Sequence, residues 1–186
     1  MSQRFGGFAV PSHAVTYIIR EYSPVDLAAV HAINEAEVPR VGTETPEALA
    51  HIAAQSIVAP VAVDAATGAV IGFAMVLGPD ADYGSDNYAW FQARYGDFAY
   101  LDRVAIPPDH QRRGIGRALY AWVAAELPTA RPTATDWTLE VNLRPRNDRS
   151  LAFHVAMGFT EVGQHESRHG YLVAMMAKPL GSGGAR

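Results

Sequence analysis

The sequence predicts an α/β protein, more specifically an α+β arrangement with helices packed against one mixed sheet. Of its 186 residues, 49% are hydrophobic and 18% are charged, which is typical of a globular protein. β-rich runs alternate with stretches of helical periodicity in the order β-α-α-β-β-β-α-β-α-β-β. Such an order is typical of a layered fold. No internal repeat is visible, so we expect one domain over residues 15–180, with loose termini at 1–14 and 181–186.

The first half of the chain contains three predicted strands, two predicted helices and one long irregular segment. The strands and helices are, in order, a strand at 17–21, helices that begin at Ser23-Pro24 and Thr45-Pro46, and strands at 57–64 and 69–77. Residues 78–97 then break the pattern with four aspartates and five aromatic residues. Long irregular segments within a domain are often functional, so we treat this one as a candidate substrate wall.

The second half predicts four strands and two helices. They are a strand at 98–106, a helix at 114–127, a strand at 137–142, a helix at 148–157, and strands at 160–164 and 170–178. The first of these helices has apolar residues at i, i+4, i+7, i+8 and i+12, which gives it one buried face. Gly158 ends the second helix, and Phe159 follows at a position that often packs back on the last turn.

Composition excludes several classes of protein. Cysteine is absent, which excludes disulfides, thiolate nucleophiles and Cys-ligated metal sites, and fits a reducing cytoplasm. The chain has neither an export-signal pattern nor an apolar run of 18 residues, so we expect no membrane partner. The net charge of −4 gives no overall positive field for nucleic acid. Any anionic ligand must therefore be bound locally.

A local anion site is predicted where the 98–106 strand leads into the next helix. Eight of the fifteen basic residues lie between positions 103 and 149, namely Arg103, Arg112, Arg113, Arg117, Arg131, Arg144, Arg146 and Arg149. The first amide groups of a helix lack internal acceptors, and glycine allows a phosphate to approach them. Gly114 and Gly116 therefore predict a pyrophosphate site. The lysine of a P-loop is missing, and Leu119 replaces the last glycine of the dinucleotide fingerprint.

Two motifs resemble the GNAT superfamily, the Gcn5-related N-acetyltransferases. Gln111-Arg112-Arg113-Gly114-Ile115-Gly116 matches the signature Gln/Arg-x-x-Gly-x-Gly/Ala, and the segment from Asn147 to Phe159 is similar to the family's Asn-x-x-Ala-x-x-x-Tyr-x-x-x-Gly-Phe helix. The resemblance covers about residues 15–180. It implies a mostly antiparallel sheet that is splayed between its fourth and fifth strands, and an acetyl-CoA site in the gap.

The resemblance also implies which residues bind acetyl-CoA. The backbone of Val104, Ala105 and Ile106 would hold the pantetheine, and Asn147 would lie near the thiol end. The pyrophosphate would be held by Arg112, Arg113, Gly114, Ile115, Gly116 and Arg117. The forked donors of arginine suit a multiply charged anion, which agrees with this assignment.

Glu140 and His154 are the candidate catalytic residues. Glu140 resembles the glutamate base that ribosomal-protein N-acetyltransferases of this superfamily carry on the fifth strand. The alternatives are a structural glutamate paired with arginine, or Asp102 as the base. His154 stands where the family usually has a tyrosine acid, and a histidine could donate that proton. The alternative is a histidine that only packs within its helix.

We expect a small-molecule amine as the acceptor, because the chain is acidic and has no evident docking surface for ribosomes. A protein N-terminal amine and a non-catalytic acyl-CoA sensor are the alternatives. Segment 78–97 could bind a cationic amine through carboxylates and cation–π contacts, or it could form a lid or a homodimer contact. No metal ligand is expected.

One further motif, His165-Glu166-Ser167-Arg168-His169, matches the His-Glu-x-x-His pattern of zinc peptidases. That pattern places both histidines on one face of a helix. Here Gly163 and Gly170 enclose a polar stretch between two β-rich runs, which predicts a hairpin connection. A downstream third ligand is also missing, so we expect no zinc site.

Overall fold

The computed structural model describes residues 17–167 and 170–181, which form a mixed sheet with helices on both faces. The elements are β1 (Tyr17–Glu21), α1 (Leu27–Ala36), α2 (Pro46–Gln55), β2 (Ser56–Val58), β3 (Pro60–Asp64), β4 (Val70–Leu77), α3 (Asp86–Gln92), β5 (Phe98–Ala105), α4 (Ile115–Ala130), β6 (Asp136–Arg144), α5 (Asp148–Ala156), β7 (Thr160–Glu166) and β8 (Leu172–Pro179). The predicted mixed α/β class is confirmed. Of the termini that we expected to be loose, 1–14 and 181–186, every residue except Gly181 lies outside the described residues.

The sheet has the strand order β1-β3-β4-β5-β6-β8-β7, and β2 pairs with β4 beside β3. Every pair is antiparallel except β5 with β6. That parallel pair covers only Phe98–Tyr100 and Asp136–Thr138, although the strands have eight and nine residues. The two strands therefore separate over the rest of their length, which confirms the expected splay.

A β-bulge accounts for the point of separation. In the β4–β5 ladder Met75 is opposite Arg103 and Val76 is opposite Leu101, so Asp102 is an extra residue in β5. A bulge bends its strand and increases the local twist. It lies two residues beyond Tyr100, the last β5 residue that pairs with β6. We attribute the divergence of β5 from β6 to this bend.

Two hydrophobic clusters pack the helices on opposite faces of the sheet. Helices α1, α2 and α3 bury Val30, Leu49 and Tyr88 on one face. On the other face α4 buries Tyr120 and Val123, and residues of α5 pack against the same cluster. The gap between β5 and β6 therefore has helices on both sides.

Two of the predicted element boundaries are wrong. The strand expected at 57–64 is divided at Ala59, because its N–H donates to the Glu21 carboxylate and its C=O accepts from the Tyr22 N–H. Segment 78–97 is not irregular throughout, since it contains α3, which the Ser85 side chain caps. Seven residues are too few to show helical periodicity, so the sequence gives no clear sign of α3.

Candidate active site

One cavity of about 1690 Å³ opens where β5 and β6 separate. Its walls are the segment after α1 at 37–44, the start of α3, the diverging strands, and the starts of α4 and α5. It brings together the predicted site residues Val104, Ala105, Ile106, Arg112, Gly114, Ile115, Gly116, Arg117, Glu140, Asn147 and His154. Arg113 is exposed beside the start of α4 and is not among the lining residues.

The start of α4 has the geometry of an anion site. Gly114 is its N-cap residue, with a left-handed φ of 84°, and no side chain in the described part of the chain caps this helix. Its first amide groups therefore face the cavity end without a capping acceptor, at the positive end of the helix dipole. Arg112 and Arg117 are exposed nearby. Within residues 17–167 and 170–181 Arg112 forms no ion pair, so its charge is available to a ligand.

Gly116, in the first turn of α4, has room for a Cβ atom. A Cβ atom placed there would lie 3.5 Å from Ile106 Cδ1 and 3.6 Å from Phe153 Cζ, which are ordinary contacts. Packing within the protein therefore does not require glycine at this position. A ligand that approaches the helix start closely would require it, which agrees with the predicted pyrophosphate site.

Glu140 lies on β6 with both carboxylate oxygens hydrogen-bonded. The Tyr100 hydroxyl donates to Oε2 at 2.7 Å, and Asn87 Nδ2 donates to Oε1 at 3.1 Å. Burial first, and then the charge of Asp102, raise the pKa of Glu140 from 4.5 to about 7, although the two hydrogen bonds act in the opposite direction. The residue keeps part of its surface open to the cavity. A carboxylate of this kind can accept a proton near neutral pH.

Asp102, the alternative base, belongs to a buried ion-pair network. Its side chain is 5% exposed, and Arg103 Nε donates to it at 3.1 Å. The Arg103 guanidinium also donates to Asn34 Oδ1, to the Gly42 carbonyl and to the Glu44 carboxylate at 2.6 to 2.9 Å. These bonds connect β5 to the segment that follows α1. Because its charge is already paired, Asp102 suits a structural role better than Glu140 does.

His154 is 4% exposed on α5, and both of its ring nitrogens are engaged within the protein. Nδ1 is 2.8 Å from the Ser150 carbonyl, which can only accept, so Nδ1 carries the hydrogen. Nε2 then accepts from the Tyr120 hydroxyl at 2.5 Å. Burial lowers the pKa of His154 to about 4, so the imidazole is neutral at neutral pH. The expected acid role stays a prediction, and this arrangement holds no proton toward the cavity.

The starts of α4 and α5 are tied together at the cavity. Asn147 caps α5, since its Oδ1 accepts from the Ser150 N–H at 3.1 Å. Arg149 donates to the Gln111 side chain, which in turn donates to the Ile106 carbonyl at 2.6 Å. The end of β5 and the two helix starts are therefore held in fixed relative positions.

Segment 78–97 contributes to the cavity mainly through hydrogen-bond donors. Tyr83 and Asn87 line the cavity, and the Tyr83 hydroxyl hydrogen-bonds Asp102. Asp80 and Asp97 instead form ion pairs with Arg131, at 2.5 and 2.7 Å. Two of the four aspartates are therefore neutralised by Arg131.

His165 and Glu166 of the zinc-peptidase pattern lie on β7 and not on a helix. His169 lies outside the described residues. His165 Nε2 is 3.5 Å from Asp86 Oδ2 at the start of α3. In the described part of the chain His165 therefore contacts α3.

The sequence interpretation missed several residues at the site. Tyr100 precedes Asp102 by two positions, a spacing that indicates a shared strand face. Asn87 lies in the segment already considered functional. The sequence indicates Arg103 only as one of eight clustered basic residues and gives no sign of its buried network. For Tyr120 no sequence signal exists, because a tyrosine in the apolar stripe of a helix is indistinguishable from ordinary core.

The family model for the acetyltransferase (GNAT) family matches residues 27–159, which include both helix starts and Glu140. The chain belongs to the GNAT family. A 65-residue stretch of this GNAT chain, 35% of its length, is 43% identical to the [ribosomal protein bS18]-alanine N-acetyltransferase of Escherichia coli K12. That stretch spans 41% of the relative, less than half of its length.

Solved structures agree with the GNAT fold. The ribosomal-protein-S18-alanine N-acetyltransferase from Escherichia coli superposes with a TM-score of 0.65 at 20% identity, covering 89% of this chain and 94% of that one. Chaetomium thermophilum Naa20, in complex with a bisubstrate analogue, gives 0.67 at 23% identity over 89% and 87%. At these identities the similarity concerns the fold. Within residues 17–167 and 170–181, each helix is too short or too polar to cross a membrane.

Proposed function

We propose that this chain is an acetyl-CoA-dependent N-acetyltransferase that acetylates a primary amine by direct attack. The observation that carries the proposal is the location of Glu140, whose pKa is about 7, in the same cavity as the uncapped start of α4. A proton acceptor and an anion site in one cleft suit a reaction between an amine and a phosphorylated acyl donor.

Acetyl-CoA fits the donor side of the cavity. The helix start with Arg112 and Arg117 suits the pyrophosphate. Among the described residues, β5 has no partner strand on its β6 side beyond Tyr100. Backbone groups of 104–106 other than the Ile106 carbonyl, which accepts from Gln111, are therefore available to the pantetheine amides. Arg113 would act from outside the cavity, and Asn147 lies at the start of α5. The bound donor supplies an acetyl group activated as a thioester.

The residues around the gap then act on the amine and on the acyl group. Glu140 takes a proton from the amine, directly or through water, and the nitrogen bonds to the acetyl carbon as the carbon–sulfur bond breaks. A backbone N–H near Ile106 polarises the carbonyl oxygen. The departing thiolate needs a proton, and His154 is the sequence-based candidate. It must first release Tyr120 or Ser150 to supply one.

Two classes of amine remain in the proposal. Glu44, Asp86, Asp102 and Glu140 line the cavity, and Arg103 is paired with Glu44 and Asp102. The remaining excess of negative charge favours a cationic small-molecule amine. The similarity to an alanine N-acetyltransferase of a ribosomal protein favours a protein N-terminal amine. A cytoplasmic location belongs to the same proposal, and cell fractionation tests it.

The decisive experiment measures release of free coenzyme A thiol over a panel of amines. The panel contains small amines, diamines, peptides with free N-termini, and the same peptides with blocked N-termini as controls. We expect release with one amine class and at least a hundredfold slower turnover for Glu140→Gln. Heat of acetyl-CoA binding without thiol release would indicate a sensor. Absence of both binding and release would refute the proposal.

A further inference from the structure

Helix α3 reaches the candidate base from the opposite side of the cleft. Asn87 is its second residue, and its Nδ2 donates to Glu140 Oε1, while Tyr100 from β5 donates to Oε2. Each carboxylate oxygen therefore has its own donor, and the two donors belong to different elements. This pair of bonds fixes both the position and the rotation of the carboxylate plane.

We propose that Asn87 is a positioning residue for acetyl transfer, which together with Tyr100 holds the Glu140 carboxylate ionised and oriented toward the incoming amine. The inference rests on the proposed role of Glu140 as the base. Asn87 lies outside the two sequence motifs that carry the resemblance to the family.

The groups that face Glu140 act in opposite directions. Burial and the negative charge of Asp102 favour the protonated form, whereas Tyr100 and Asn87 donate to the charged form. Arg103 and Tyr83 act on Asp102 rather than on Glu140. On β8 the residue opposite Glu140 is Met175, which carries no charge. In the described part of the chain, the charged form of Glu140 is therefore stabilised by two neutral hydrogen-bond donors, Tyr100 and Asn87.

The orientation of the Asn87 amide supports the same conclusion. Its Oδ1 is buried and has no hydrogen-bond partner in the described part of the chain. Leaving an acceptor unsatisfied costs about 1–3 kcal/mol, so this orientation needs a compensating interaction. The opposite orientation would direct Oδ1 at a carboxylate oxygen. The bond to ionised Glu140 supplies the compensation.

Contacts with β7 and with the core hold α3 in place. Asp86 lies 3.5 Å from His165, and Tyr88 and Phe91 are fully buried. Trp90 packs so closely on Gly163 that a Cβ there would lie 2.8 Å from Trp90 Cζ2. Asn87 therefore projects from a fixed helix, which is what a positioning residue requires.

The test is the titration of Glu140 itself, monitored by carbon-13 NMR of labelled glutamate side-chain carboxyl groups. The Glu140 signal is identified by its loss in Glu140→Gln. Asn87→Ala should raise the midpoint by about one to two pH units, because the variant loses a hydrogen bond that favours the charged form of Glu140. Asn87→Asp keeps the side-chain shape and should raise it further, because it adds a second carboxylate.

Gln92→Ala is the matched control. Gln92 lies on the same helix but donates to the Pro79 carbonyl at 2.9 Å and not to Glu140. This variant should leave the midpoint unchanged. An unchanged midpoint in both Asn87 variants would overturn the proposal.

Kinetics then separate this inference from the proposed function. The acid limb of kcat/KM should move to higher pH in Asn87→Ala by the same amount as the NMR midpoint, and at high pH the rate should recover. A shifted NMR midpoint in a chain that acetylates no amine would support the bond and refute the catalytic role. Activity with an unmoved acid limb would refute Asn87 and leave the acetyltransferase proposal intact.

Discussion

Glu140→Gln should stabilise the protein at alkaline pH. Burial first, and then the charge of Asp102, raise the pKa of Glu140 from 4.5 in the unfolded chain to about 7 in the fold. Below pH 4.5 Glu140 is protonated in both the folded and the unfolded chain, so the contribution of this residue to stability is fully present. As pH rises from 4.5 to about 7, only the unfolded chain releases the Glu140 proton. The free energy of unfolding therefore falls by about 1.4 kcal/mol per pH unit, roughly 3 kcal/mol in total.

The variant has no such titration. Asn87 can turn its unpaired Oδ1 toward the new amide, and Tyr100 can still donate, so the site remains hydrogen-bonded. We expect similar stability of the two proteins near pH 5, and at pH 8.5 a variant more stable by about 2–3 kcal/mol. Urea unfolding at both pH values measures this, with Glu126→Gln on the exposed face of α4 as the control.

Stability must be compared between the variant and the wild type at each pH. His154 is present in both proteins and changes the free energy of unfolding with pH in the opposite direction to Glu140. Equal pH dependence of unfolding in the Glu140→Gln and wild-type proteins would refute the reasoning. It would mean that Glu140 is hydrated in the folded state and titrates as it does in the unfolded chain.

Three further outcomes follow from single contacts. The pKa of His154 is lowered from 6.5 to about 4, so His154 destabilises the fold as pH drops through this interval, against the contribution of Glu140; urea unfolding of His154→Phe should lack this loss, so the variant gains stability relative to wild type on acidification. Gly114→Ala should cost about 1–2 kcal/mol of unfolding free energy, because φ is 84°, whereas Gly116→Ala should change it by less than about 0.5 kcal/mol. Gly163→Ala should cost about 1–3 kcal/mol through the clash with Trp90, and a double-mutant cycle with Trp90→Leu should recover most of that loss.

The sequence predicted which residues line the donor side of the cavity, because those residues lie close together along the chain. Gly114 and Gly116 follow a strand and lie at the start of an amphipathic helix, and this order alone predicts the anion site. Asn147 and Gly158 similarly mark the two ends of α5, and the Gly158 N–H bonds the Val155 carbonyl as expected at a helix end. Such signals lie within a few residues of one another.

The acceptor side was predicted less well, because its contacts join residues far apart in sequence. Asn87 meets Glu140 across 53 positions, and Arg103 meets Asn34 across 69. Neither residue type indicates its partner. The ionisation state of His154 likewise depends on Tyr120, 34 positions away, so a histidine that could serve as an acid in sequence terms is a neutral acceptor in the fold.

The short pairing between β5 and β6 has a consequence for solubility. Past Tyr100 and Thr138 the two strands do not pair with each other, and unpaired strand edges are the feature by which sheets recruit strands from other molecules. Here those edges face one another inside a cleft, with helices above and below. Another polypeptide can reach these edges only through the opening of the cleft, so the helices on both faces limit strand pairing with other molecules.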